Sequence, residues 1–239
     1  MSEKVQRELL APRKKTSADR AQNLKHDPLA EYRASAYLNR DESSPTLIQH
    51  LSSAFKGAIA SAALDSTGAS KAQIGRLCWV EGERIDIFGI PKMFMSVTRS
   101  ADMNKTPDVR TRLIVPEWAA RIRVSFAKPT LNETVITNLV AGAGLFQGIG
   151  DWRPGKGKGT YGQFEPVSQD DKQYVARLKL GRKAQVPLLE EPDYYDQETE
   201  ELYRWFQEEI ARRGREQETT IAHKRNGKAP SKLDVPLED

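Results

Sequence analysis

Cysteine is all but missing from this chain of 239 residues: there is one, Cys78. A single thiol excludes an intrachain disulfide and a cysteine-built zinc site, and it fits a reducing compartment. Its setting, Leu77-Cys78-Trp79-Val80, reads as a buried strand rather than as the surroundings of a nucleophile. Histidine is nearly as scarce, and His26, His50 and His223 show no metal-ligand spacing. Long apolar runs are absent too. The opening Met-Ser-Glu-Lys-Val-Gln-Arg carries no signal-peptide core, and no stretch approaches membrane-spanning length, so a cytoplasmic protein without membrane contact is expected. No internal repeat is present, and nothing points to a metal or a cofactor.

What the chain does have is glycine in one place. A helix rich in small residues ends at Gly142-Ala143-Gly144, and seven of the sixteen glycines fall between Gly144 and Gly162. Among them stand Trp152, Arg153, Lys156, Lys158 and Tyr161. Glycine allows positive φ and close backbone approach, and free N–H groups in such turns form anion-binding concavities. With three cations and two rings added, the segment has the groups that phosphate and base contacts require. A solubilising hairpin tip is the plainer reading of the same residues. Gly155-Lys156-Gly157-Lys158-Gly159-Thr160 has the flavour of a nucleotide-binding loop, but a Walker loop needs its Gly-Lys-Thr to open a helix, and here the residues lead into Tyr161-Gly162. An NTPase is not expected.

The net charge is only +4, yet it is unevenly spread. Residues 84–160 hold twelve Lys/Arg against six Asp/Glu, and residues 168–239 hold thirteen against sixteen. A basic middle with an acidic end suggests a body that binds a polyanion.

Read for elements, residues 1–30 form a polar N-terminal arm. A first strand is expected over 32–38, then a helix from Ser43-Ser44-Pro45 with its apolar face at Leu47, Ile48, Leu51, Phe55, Ala58, Ile59 and Ala62. Residues 76–80 and 84–88 read as a strand pair. Residues 92–98 continue extended, and 99–112 form an inserted hairpin finger bearing Arg99, Lys105, Arg110 and Arg112, with Met103 as a candidate wedge. Residues 118–126 alternate as a half-buried strand whose wet face carries Arg121 and Arg123. Thr130 and Glu133 form a capping box for a second helix. A final strand is expected over 161–167. Beyond it, a helix over 197–213 with Leu202, Trp205, Phe206 and Ile210 on one face is followed by a disordered tail, 214–239. The order is that of an α+β, ferredoxin-like domain related to RNA-recognition modules, spanning 31–167 and followed by an acidic extension over 168–239.

Two motifs resemble the RAMP superfamily of CRISPR-associated proteins over roughly residues 43–167. Gly148-Ile149-Gly150-Asp151-Trp152-Arg153 with Gly159-Thr160-Tyr161-Gly162 is similar to that family's glycine-rich loop. Ser53-Ala54-Phe55-Lys56-Gly57-Ala58-Ile59-Ala60-Ser61 resembles the small-residue helix of backbone-type members that line an RNA guide. The chain is also similar to a set of tailed-phage proteins through Arg110 to Arg112, Pro116-Glu117-Trp118 and the glycine loop. The resemblance implies a ferredoxin-like fold of phage or mobile-element origin that binds nucleic acid, with Lys56 meeting phosphate.

The residues expected at a nucleic-acid site are therefore Lys56, Arg99, Lys105, Arg110, Arg112, Arg121, Arg123, Trp152, Arg153, Lys156, Lys158 and Tyr161, with Gly148, Gly150, Gly159 and Gly162 shaping the turns. Three functions follow. The leading one is a non-catalytic protein that binds single-stranded RNA or DNA and assembles along it as a homo-oligomer or filament. The second is a RAMP-type endoribonuclease using His50, and the third a virion or other structural protein making only protein contacts.

Overall fold

The computed structural model describes residues 26–65, 70–99, 107–156 and 159–225, with Arg99, Pro107 and 213–225 described as backbone only. Its order is α1 (Pro28–Ala34), β1 (Tyr37–Leu38), β2 (Ile48–Leu51), α2 (Ser52–Ala62), α3 (Lys71–Leu77), β3 (Cys78–Val80), β4 (Arg84–Phe88), β5 (Lys92–Arg99), β6 (Pro107–Ile114), β7 (Ala119–Ala120), β8 (Val124–Phe126) and α4 (Glu133–Gly142). A π-turn (Ala143–Gln147) and a 3-10 turn (Pro154–Lys156) follow, then α5 (Lys172–Leu178), α6 (Arg182–Gln185), α7 (Pro187–Glu190), β9 (Asp193–Tyr194) and α8 (Gln197–Arg225). This is an α+β fold. Among the described residues the sheets run β1-β2-β4-β7, β3-β8 and β6-β5-β9, and the pairings are antiparallel except that of β5 with β9.

Several elements differ from the sequence expectation for identifiable reasons. Residues 28–34 are helical because Asp27 caps the helix, its carboxylate accepting from Ala30 N at 3.1 Å, and Pro28 opens the first turn. The stretch before Ser52 is not helical. Its apolar spacing suits either state, and strand pairing wins: Ile48–Leu51 pairs with β4 through Gln49 opposite Asp86 and Leu51 opposite Arg84. Ser70 caps α3, so Arg76 and Leu77 are helical, and β3 pairs with β8 rather than with β4. The run 118–126 breaks into two strands serving different sheets, with Arg121 and Arg123 in the gap. Asn132, not Thr130, caps α4 through Val135 N. Residues 161–167 join no ladder, and α8 continues as backbone to Arg225, well past residue 213.

Two apolar cores result. In the first, α2 (Phe55, Ile59, Ala62) and α4 (Ile136, Leu139) close over Ile85, Ile87, Cys78 and Val80. Each large side chain fully buried here contributes about 1.5–3 kcal/mol. In the second, Tyr32 of α1 meets Met93 and Met95 of β5 beneath Leu202 and Tyr203 of α8. The C-terminal segment also ties into the body through Gln185. Its buried amide accepts from Leu47 N (2.8 Å) and donates to the carbonyls of Ile87 (2.8 Å) and Gly89 (3.1 Å). Contacts from 180–203 thus cross the boundary expected at residue 167. No helix among the described residues is long and apolar enough to cross a membrane.

Candidate nucleic-acid interface

An open groove of about 1520 Å³ runs between the β5–β6 hairpin and the glycine-rich loop, floored by β2 and α2. The hairpin wall follows from strand alternation. Register sets Phe94 opposite Arg112 and Ser96 opposite Arg110, so these four share one face and all line the groove. Met93 and Met95, one residue out of phase, are buried in the second core. The floor presents Gln49 and His50 from β2, with Ser53, Gly57 and Ser61 at i, i+4 and i+8 along α2. Small side chains there leave open space: a Cβ at Gly57 would meet nothing within 4 Å.

The opposite wall is the loop, and its glycines close it on itself. Gly148 N donates to Ala143 O (2.8 Å), ending the π-turn; Ile149 N donates to Gly162 O (2.9 Å), Tyr161 N to Trp152 O (3.1 Å) and Phe164 N to Gly144 O (3.2 Å). Gly162 has φ +71, and a Cβ on it would lie 1.8 Å from Ile149 O; at Gly159 it would lie 1.7 Å from Trp152 O. Backbone carbonyls thus take the N–H groups of Gly148, Ile149, Lys156 and Tyr161, and the loop's side chains also face the groove. Arg153 donates to Gly150 O at 2.8 Å. Trp152, at φ 54 and 52% exposed, lies parallel to the Tyr161 ring with centroids 6.1 Å apart and 6° between planes. Across the mouth, Arg112 of the hairpin reaches Asp151 of the loop at 3.5 Å.

His50 lies in β2, not in a helix, edge-on between Tyr37 and Phe55 with both centroids at 6.1 Å. Burial holds its imidazole below the ordinary histidine range, and the Arg153 charge acts in the same direction, so the ring is neutral at neutral pH. Among the described residues no cluster of His, Cys, Asp or Glu is placed to hold a metal ion.

The groove thus brings together Arg110, Arg112, Trp152, Arg153, Lys156 and Tyr161, with Gly148, Gly150 and Gly162. Gly159 sits behind Trp152. Lys56 does not line the groove; it is half-buried on α2, and its charge is felt by buried Cys78, whose thiol burial pushes up. Arg121, donating to the Tyr174 hydroxyl at 3.4 Å, and Arg123, paired with Glu81 at 3.4 Å, also lie outside it. The side chain of Arg99, and all of Met103, Lys105 and Lys158, lie outside the described residues. Sequence reasoning missed Tyr37, Phe94 and Tyr195. Phe94 was legible from the Met-Phe-Met-Ser alternation, whereas Tyr195 reaches the groove only because β9 pairs with β5. Nothing among protein-family models, curated proteins or solved structures matches this chain.

Proposed function

We propose that this protein binds single-stranded nucleic acid, RNA or DNA, in the groove, without cleaving it, and that copies assemble along the strand. The observation that carries the reading is the composition of the two walls. Arg110, Arg112, Arg153 and Lys156 face a shared space with Phe94, Trp152, Tyr161 and Tyr195. Cations in such a groove neutralise phosphates and release counterions, while exposed rings take the faces of unpaired bases. A solubilising hairpin tip has no need of cations and rings converging from separate segments.

The resemblance of the Gly148–Gly162 loop to the RAMP superfamily supports the same function, and with it a ferredoxin-like plan of phage or mobile-element origin. The β2–α2 unit, the antiparallel β2–β4 pair and the packing of α2 on α4 are compatible with that plan. Exposed Leu64, Leu145 and Phe146 supply apolar surface for contacts between copies. A second reading, an endoribonuclease, draws on neutral His50 in the groove floor. One experiment separates the two: titrate the purified protein with labelled oligo(U) and oligo(dT) from low to high salt, then examine the strands for cleavage. Binding that weakens steeply with salt and leaves intact strands supports the proposal. Cleavage lost in His50→Ala supports the nuclease, and no binding at low salt rejects both.

A further inference from the structure

Trp152, Tyr161, Phe94 and Tyr195 come from three separate segments, yet their rings form one unbroken row. Trp152 to Tyr161 is 6.1 Å between centroids, Tyr161 to Phe94 is 5.9 Å, and Phe94 to Tyr195 is 5.5 Å. All four line the groove. The ring planes turn along the row, at 6°, 51° and 89° for the successive pairs. Arg112 stands directly opposite Phe94 on the same face of the hairpin, with Arg110 next along.

From this row we infer that the site takes a stretched single strand with splayed bases, and that Tyr195 of the C-terminal segment is a base-contacting residue of it. The inference rests on the nucleic-acid reading above. Its physical basis is spacing and orientation. A B-form strand advances about 3.4 Å per nucleotide with parallel bases, and the steps between these rings, 5.5 to 6.1 Å, are more than one and a half times that. Bases resting on successive rings are pulled out of their own stack, and the turning planes keep them from staying parallel. A duplex meets neither condition; an unpaired strand meets both. Tyr195 is held in place by its backbone: Tyr195 N donates to Met93 O at 2.9 Å. Strand alternation does the rest, sending Tyr194 into the second core, where its ring meets Tyr203 at 5.6 Å, and Tyr195 into the groove. The C-terminal segment therefore completes the binding surface.

The test compares wild type, Tyr195→Leu and Tyr195→Phe for binding of an eight-nucleotide oligo(dT), an eight-nucleotide oligo(U) and a blunt duplex of the same length, with melting curves alongside. Tyr195→Leu is expected to weaken binding of both single strands by at least about fivefold, the loss of one stacked base. Tyr195→Phe, which keeps the ring and the backbone bond, stays within about twofold of wild type in binding and in melting, and the duplex binds at least about tenfold more weakly than either strand. Should Tyr195→Leu bind as tightly as wild type while Trp152→Ala is weakened, Tyr195 is off the track and the inference falls with the nucleic-acid reading intact. Equal affinity for duplex and single strand overturns the splayed-base geometry. A wild-type protein that binds neither removes the reading itself.

Discussion

Arg110-Thr111-Arg112 and Arg121-Ile122-Arg123 are near copies in sequence, yet the first pair lines the groove and the second does not. Both put two cations on the wet face of extended chain and one side chain inward: Thr111 is fully buried, and Ile122 packs against the first core. The first pair lies within an eight-residue strand whose ladder partner supplies Ser96 and Phe94 opposite it, with Arg110 paired to Asp108 at 3.3 Å and Arg112 to Asp151 at 3.5 Å. The second lies in the gap between β7 and β8, where Arg121 finds Tyr174 and Arg123 finds Glu81. An Arg-x-Arg motif therefore says which face is wet and nothing about what shares that face. The neighbouring strand decides that, through register.

The comparison holds only if the loop wall stands where it does, and the largest effect is expected from moving it. Gly162→Val places a β-branched side chain at positive φ and against Ile149 O. We expect a stability loss of about 2–4 kcal/mol, with weaker binding of single strands, read by thermal melting and titration. A conformation-tolerant loop would show neither change.

Next in size is Trp152→Ala. Removing the exposed ring over Tyr161 should cost about 1–3 kcal/mol of binding while leaving the salt slope unchanged, because stacking releases few ions. A change of slope without loss at low salt would assign Trp152 to positioning Arg153 rather than to stacking.

The smallest effect concerns His50. Its folded-state pKa is depressed by burial, so the unfolded chain takes up the proton first as pH falls. The stability tied to the neutral ring is thus present above the ordinary histidine pKa of about 6.5 and is lost as pH drops through and below it. His50→Phe keeps a ring between Tyr37 and Phe55 and removes the titration. Its Tm should fall less steeply than wild type between pH 7 and pH 5, by about a few degrees at most. A steeper fall would contradict the burial argument.

Much of the groove could be read from local pattern. Trp152, Arg153, Lys156 and Tyr161 announce themselves by crowding among glycines, and Arg110 and Arg112 by the gathering of four cations on one insert. Where reading stopped short, the deciding interaction was distant in sequence. Residues 47–51 satisfy helical spacing, and only pairing with β4 makes them a strand and brings His50 to the floor. The loop's glycines suggested N–H groups that could meet an anion; that of Gly148 is bonded to Ala143 O, and what closes the loop is the carbonyls of Gly144, Trp152 and Gly162 accepting from Phe164, Tyr161 and Ile149. Lys56 is one residue away from Gly57 on the wheel of α2, and that 100° turn takes it off the groove-lining face. Tyr195 had no local signal, since its position depends on a two-residue parallel strand joining chain segments about a hundred residues apart.

The most direct test of the account is the salt dependence of single-strand binding in two double variants, Arg110→Ala/Arg112→Ala and Arg121→Ala/Arg123→Ala, measured beside wild type. Each phosphate neutralised contributes about 0.7 to the log–log salt slope for a single strand. The groove pair, once removed, is expected to weaken binding by at least about tenfold at low salt and to shallow the slope by about 1.4. The outer pair should leave affinity within about twofold and the slope unaltered. Equal losses from both pairs, or a loss confined to Arg121 and Arg123, would place the nucleic acid elsewhere and contradict the groove as its site.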